Sequence, residues 1–206
     1  MDSIQPRLIG ISGGSGSGKT YITQMVAALL PDRPLVLSLD RYYKGLPPNE
    51  QSPSDYNFDH PDALDFSLLK KNLNELTEKG STCPPEYCFQ SHKRKASSEI
   101  VHAAPVIIVE GIHTFADEQL SCLFEKKIFI STSSDVRFIR RIRRDLATRG
   151  RTIDSIIEQY ENTVRPMYLQ YIEPTRQRAD LIVDNDHDPD IVASRIAAYI
   201  LDGTRF

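Results

Sequence analysis

At 206 residues, with 40% hydrophobic and 26% charged side chains, the chain has the size and mix of one well-buried globular domain and is not disordered. A net charge of −3 opposes general attraction to nucleic acid or anionic membrane, so any polyanion site must be local. No apolar run approaches the roughly 20 residues of a membrane helix, and Cys83, Cys88 and Cys122 have neither disulfide nor zinc spacing; a cytoplasmic single domain over 1–206 is expected.

Leu8-Ile9-Gly10-Ile11 reads as a buried strand, and Tyr21 to Leu30 carries Ile22, Met25, Val26 and Leu29 at helical spacing. Five of the ten glycines fall between Gly10 and Gly18 and close on Gly13-Gly14-Ser15-Gly16-Ser17-Gly18-Lys19-Thr20, a complete phosphate-binding loop. Glycines there let successive N–H groups turn toward one anion, and the helix N-terminus adds its partial positive charge. Lys19 can reach the β- and γ-phosphates, and the Thr20 hydroxyl is placed to ligate Mg²⁺.

Leu35 to Leu39 predicts a second strand ending at Asp40, and the polar, Pro-rich segment 44–60 predicts a loop of the kind that covers a site. Asp65 caps a helix running to about Lys79, with Phe66, Leu69, Leu73 and Leu76 on one face and Gly80 as its stop. The segment 81–104 resembles a projecting hairpin. Val106 to Val109, ending in Glu110, suits a central parallel strand, and Ile128 to Ile130 and Leu181 to Val183 predict further strands. Helical patterns cover Asp135 to Thr148, Asp154 to Ile172 and Asp190 to Leu201, with Pro166 expected to kink or break the second. Alternating strands and helices predict an α/β fold, a phosphate-loop parallel sheet flanked by helices, with ligands at the carboxyl ends of the strands. Thr20, Asp40 and Glu110 all fall just beyond such ends.

Asp40 and Glu110 are therefore candidate carboxylates for a cation shared with Thr20: one holds the ion, the other accepts the proton of a hydroxyl that receives a phosphoryl group. From Arg137 to Arg151 lie seven of the chain's sixteen arginines and no lysine. A mixed run would read as a solvated face; exclusive arginine points to phosphate, which the guanidinium fork matches bidentately. The region 137–152 is expected to act as a lid through Arg144 to Arg151, with Arg137 and Arg143 mattering little. Nucleic-acid binding is disfavoured because Phe138 is the only aromatic interleaved in the cluster. Tyr87 to Arg94 puts Tyr87, Phe89 and His92 on the hairpin, either as packing or as stacking faces and a polar handle for a flat ring.

These motifs, taken in order with Asp40-Arg41-Tyr42-Tyr43, Asn57 to Asp65, Glu110-Gly111-Ile112, Arg140 to Asp145, Arg149-Gly150-Arg151, Gln159-Tyr160, Thr163 to Met167 and Ala179-Asp180, resemble the uridine/cytidine kinases over almost the whole chain. The resemblance implies transfer of the γ-phosphoryl group of ATP or GTP to the 5′-hydroxyl of uridine or cytidine, with Mg²⁺. It implies that Asp40 is the acceptor-side carboxylate beside the metal, that Thr20 and Glu110 hold Mg²⁺, and that Lys19, Arg144 and Arg149 act on the phosphates. Asp59, Tyr87, His92, Arg141, Arg151 and Gln159 would hold the nucleoside, and Asp188 would lie on the donor side. A homo-oligomer, tetramers included, is common in the family. The chain departs from the family pattern at Cys88, at Arg41, at Asp184-Asn185-Asp186 and in a shorter 44–57 loop. A kinase of a phosphorylated sugar or a vitamin precursor is the nearest rival; a regulatory GTPase would need an Asn-Lys-x-Asp signature that the chain lacks.

Overall fold

The computed structural model describes residues 5–47, 56–186 and 188–202. In chain order it contains β1 (Arg7–Gly13), α1 (Lys19–Leu29), β2 (Leu35–Ser38), α2 (Phe66–Lys79), β3 (Ser81–Thr82), β4 (Glu86–Cys88), β5 (Lys93–Lys95) and β6 (Val101–His102). It continues with β7 (Val106–Glu110), α3 (Glu118–Leu123), β8 (Lys126–Ser131), α4 (Ser134–Thr148), α5 (Ile153–Gln159), α6 (Arg165–Met167), β9 (Leu181–Asp184) and α7 (Pro189–Asp202). Five strands form one parallel sheet in the order β2-β7-β1-β8-β9.

Successive side chains of a strand point to opposite faces, so a strand buried on both sides must be apolar at every position. In β1, Ile9 and Ile11 pack with Ile108, Ile128 and Ile130 toward α1 and α7, whereas Leu8 joins Leu37, Ile107 and Val109 toward α2. The two cores enclose the sheet. Chain direction then sends the ends of β1, β2 and β7, and with them the phosphate loop, Asp40 and Glu110, to one edge.

Local chemistry sets the element ends. Asp65 accepts a 3.0 Å hydrogen bond from the Leu68 N–H at the start of α2. Gly80, at φ +75°, closes the same helix in the left-handed conformation, its N–H bonded to the Leu76 carbonyl. β2 stops at Ser38, one residue earlier than its apolar run, because Leu39–Tyr42 turns into a short 3₁₀ helix whose amide at Asp40 is met by Ser38 Oγ at 3.4 Å.

Two segments take a more particular form than their sequence patterns specify. The segment 81–104 is not one continuous ladder: β3 pairs with β6 at its base and β4 with β5 at its tip. Pro84 and Pro85 have no N–H to give a ladder, so pairing cannot run through them. Pro166 does not break the helical path. Between α5 and α6 the chain widens into π turns, and the Arg165 N–H reaches back five residues to Tyr160; a second wide stretch, Tyr168–Ile172, follows α6. Wider turns accommodate a ring that an α-helical register would clash with. Of the 44–60 loop, residues 48–55 lie outside the described residues. Among the described residues no helix is long and apolar enough to cross a membrane.

Candidate active site

The phosphate loop runs from the end of β1 into α1, and α1 begins with no side-chain cap on its first amides. Those N–H groups are left for an outside acceptor, which an anion supplies. Gly16 sits at φ +80°, and a Cβ there would collide with the carbonyl oxygen of Arg137. The loop is braced from outside as well: the Ser17 carbonyl accepts from Asn185 Nδ2 at 2.7 Å and from Thr132 Oγ1 at 3.2 Å.

Thr20 Oγ1 donates to Glu110 Oε2 at 3.2 Å. Glu110 is 2% exposed, and burial raises its pKa against the pull of Lys19, while Asp40 pushes it the same way as burial. The Lys19 ammonium is lowered, first by desolvation, with Glu110 and Asp40 opposing and Arg144 adding to the fall. Lys19, Glu110, Asp40 and Arg144 therefore share one field. The described residues contain no cluster of three or more His, Cys, Asp or Glu that would hold a metal alone. The oxygens of Thr20 and Glu110, with the Asp40 carboxylate acting on the same groups, fit a hard cation that keeps water and phosphate oxygens in its shell, as Mg²⁺ does.

On α4 the arginines gather on one carboxylate. Asp145 has no exposed surface; Arg144 Nε lies 2.8 Å from Oδ1, and Arg141 and Arg149 Nε are each 3.6 Å from its oxygens. Burial alone would raise the Asp145 pKa, but the Arg144 hydrogen bond and the three positive charges bring it below the usual range. Arg144 Nη2 and Arg140 Nη1 are buried donors without a partner among the described residues. Such donors at the loop's edge suit an anion. Arg143 is exposed, as expected, but Arg137 is not the marginal residue the spacing suggests. Arg137 is 5% exposed, gives Nε to the Thr132 carbonyl at 3.1 Å and lies 3.8 Å over the Tyr168 ring.

The other named residues frame the opposite wall. Asp59 Oδ2 accepts from Thr163 Oγ1 at 3.0 Å. Gln159 Oε1 accepts from Arg141 Nη2 at 2.8 Å and from Arg151, while Arg141 Nη1 reaches Ser15 of the phosphate loop at 2.8 Å. Tyr87 packs against Tyr43 and Phe89, each at 5.1 Å between ring centroids. Its hydroxyl is buried with no partner among the described residues, and burial, with Asp40 contributing, pushes its pKa up to about 12. His92, at φ +51°, stacks on Phe58 with centroids 4.9 Å apart. Its pKa is lowered by burial and by Arg149 and Arg151, and Arg149 lies 4.8 Å over the Phe89 ring. The hairpin tip and the arginine region thus meet over the cleft.

The family model of the Phosphoribulokinase / Uridine kinase family matches residues 8–192. The chain belongs to this family. It is 46% identical over 177 residues to the uridine kinase of Borreliella burgdorferi (strain ZS7), covering 86% of this chain and 85% of that one. It is 43% identical over 204 residues to the uridine kinase of Borrelia duttonii (strain Ly), covering 97% and 98%. Phosphoribulokinase from Rhodobacter spheroides superposes with a TM-score of 0.66 over 92% of this chain and 75% of that one, at 17% identity, a likeness of fold.

Within this phosphoribulokinase/uridine kinase scaffold, Asp188 stands apart from the other candidates: it is exposed, and its Oδ1 accepts from the Asp190 N–H at 2.9 Å, capping α7. Residues given no role from the sequence also support the site from behind: Asp145, His113 and Asn185 are buried against the arginines, the Asp59 carbonyl and the Ser17 carbonyl, and Thr163 donates to Asp59. Asp145 had a signal, a lone carboxylate four residues from Arg141 and four from Arg149 in a run of arginines. His113 and Asn185 had none, since both act across distant chain segments.

Proposed function

We propose that this family member is a Mg²⁺-dependent uridine/cytidine kinase, moving the γ-phosphoryl group of ATP or GTP onto the 5′-hydroxyl of uridine or cytidine. The observation that carries the reading is the contact between the two halves of the site: Thr20 at the end of the phosphate loop meets Glu110 at 3.2 Å, and Arg141 joins Ser15 of that loop to Gln159 of the acceptor wall at 2.8 Å each, with Asp40 acting on both Lys19 and Tyr87. Donor chemistry and a ring-binding wall share one carboxylate.

In this reading Gly13, Gly14, Ser15, Gly16, Ser17 and Gly18 wrap the β- and γ-phosphates with backbone amides, Lys19 neutralises them, and Asp188 lies on the donor side. A Mg²⁺ bound by Thr20 and Glu110, with Asp40 beside it, would supply charge neutralisation to the same oxygens. Asp59, Tyr87, His92, Arg141, Arg151 and Gln159 position the nucleoside. The 5′-oxygen forms a bond to Pγ as the bond from Pγ to the β,γ-bridging oxygen breaks, and Asp40 takes the hydroxyl proton. The transition state is loose, so Lys19, Arg144 and Arg149 contribute chiefly by stabilising its charge. The chain is read as one kinase domain, with the hairpin 81–104 over the acceptor and 137–152 as the lid. Homo-oligomerisation, up to a tetramer, comes with the family resemblance, and light scattering reads it directly.

The test is an acceptor panel with Mg·ATP and, separately, Mg·GTP against uridine, cytidine, adenosine and ribulose 5-phosphate. Turnover of uridine and cytidine is expected, with adenosine far slower. Turnover of ribulose 5-phosphate alone would replace the reading with the sugar-phosphate kinase, and comparable turnover of adenosine would remove the pyrimidine assignment.

A further inference from the structure

His113 lies three residues beyond Glu110, is 1% exposed, and has no part in the chemistry above. Its Nε2 is 2.7 Å from the main-chain carbonyl of Asp59. A carbonyl only accepts, so Nε2 carries the proton and Nδ1 the lone pair. That Nδ1 is buried and has no partner among the described residues. Enclosing an imidazole with one nitrogen unmet is unfavourable, and an apolar side chain would fill the space without that cost. The bond to Asp59 is what a histidine adds here.

The base of this strut is fixed. The Gly111 N–H bonds to the Ile11 carbonyl at 3.1 Å, Thr114 Oγ1 donates to the same carbonyl at 3.1 Å, and Ser12 Oγ donates to the Ile112 carbonyl at 3.2 Å. Ile11 and Ser12 belong to β1, the strand that runs into the phosphate loop. The loop of Asp59 is tied on its other side to the wide-turn helical segments, through Thr163 at 3.0 Å and through a 2.8 Å contact between His60 and Tyr171. His113 supplies the tie toward the phosphate side.

We infer that His113 is a positioning residue for the acceptor: it sets Asp59 relative to the phosphate loop by holding the Asp59 main chain to the end of β7. This rests on the reading of Asp59 as a ligand of the nucleoside. Steady-state kinetics on the full chain with uridine and Mg·ATP test it, using His113→Leu, His113→Gln, His113→Asn and Asp59→Asn, with thermal melts of each. His113→Leu should raise KM for uridine about tenfold while leaving KM for ATP within about twofold. His113→Gln, whose amide N–H can stand where Nε2–H stands, should recover most of the loss. His113→Asn is too short and should not, so this pair decides the matter even if the leucine variant fails to fold. If Asp59→Asn leaves KM for uridine unchanged, the acceptor role of Asp59 falls and the inference with it. If Asp59→Asn raises that KM while the His113 variants leave it alone, or raise both KM values equally, His113 is not the positioning residue.

Discussion

Asp145 is enclosed on α4 with Arg144 Nε at 2.8 Å and the Nε atoms of Arg141 and Arg149 at 3.6 Å. One carboxylate therefore aligns three cations, and its removal should cost more than the loss of any one of them. Asp145→Asn leaves the buried Arg141 charge without its carboxylate, while solvent screens the partly exposed Arg144 and Arg149, and is expected to lower stability by about 3 kcal/mol in urea unfolding. The arginines themselves should divide. Arg144→Ala and Arg149→Ala should lower kcat strongly with KM for uridine little changed, because their proposed work is on transition-state charge. Arg143→Ala, on an exposed side chain, should be near neutral. Arg137→Ala should instead destabilise the fold, since Arg137 braces the phosphate loop from Tyr168 and Thr132. That division was only partly legible in the sequence. Composition marks the cluster as phosphate-seeking, but which arginines turn inward depends on Gly14, Gly16 and Tyr168, residues far away along the chain. The two carboxylates separate by a different measurement. Asp40→Asn should cut kcat by roughly 10²-fold at any Mg²⁺ concentration, the usual scale for a general base. The Glu110→Gln defect should shrink as Mg²⁺ is raised, by mass action at a weakened ion site. Full rescue of Asp40→Asn by Mg²⁺ would make Asp40 a metal ligand and leave the base unassigned.

At the scale of elements, the parts governed by local chemistry were readable and those governed by distant partners were not. Asp65 and Gly80 bound α2 as their side-chain and backbone chemistry requires, and the apolar runs of β7 and β8 lie in the sheet. The split of the hairpin and the π turns around Pro166 follow from two properties of proline, the missing N–H in the first case and the clash of its ring with an α-helical register in the second, and their outcome depends on what else is packed there. The short α3 escaped the reading because six residues carry too little periodicity. Two glycines give a clean contrast between backbone and contact effects. Gly80 has φ +75° with nothing near its missing Cβ, whereas Gly16 has φ +80° with the Arg137 carbonyl in the way. Gly80→Ala should therefore cost only the backbone strain, about 1–2 kcal/mol in urea unfolding. Gly16→Ala should cost more and should also abolish ATP binding in a calorimetric titration. Equal losses, with ATP binding intact in both, would show that the loop tolerates a side chain.

For the whole molecule, the topology was legible because strand and helix signals alternate, and one parallel sheet with ligands at the carboxyl ends is what that alternation permits. What the sequence could not show is how charge is balanced in the cleft once the sheet has closed, and that balance has a pH signature. His113 has a usual value near 6.5 and is lowered to about 4, first by desolvation, with His60 and Lys19 adding to the fall while the Asp59 carbonyl and Asp40 oppose it. Between those two values the unfolded chain binds a proton that the fold excludes, so stability falls as the solution is acidified from pH 6.5 toward 4. A difference of about 2.5 pH units corresponds to roughly 3 kcal/mol across the window. Asp145 behaves otherwise: its lowered value keeps it charged and bound to its arginines through this range, and its contribution is lost only as the pH falls through that lowered value. Glu110, raised by burial, takes up its proton earlier in the fold than in the unfolded chain and so offsets part of the loss. Urea unfolding at pH 6.5, 5.5 and 4.5 should show the native chain losing stability steeply, while His113→Gln, which has nothing to titrate there, loses distinctly less. Parallel curves for the two proteins would mean that the fold does not hold His113 neutral, and that the proton it excludes must be sought at another histidine.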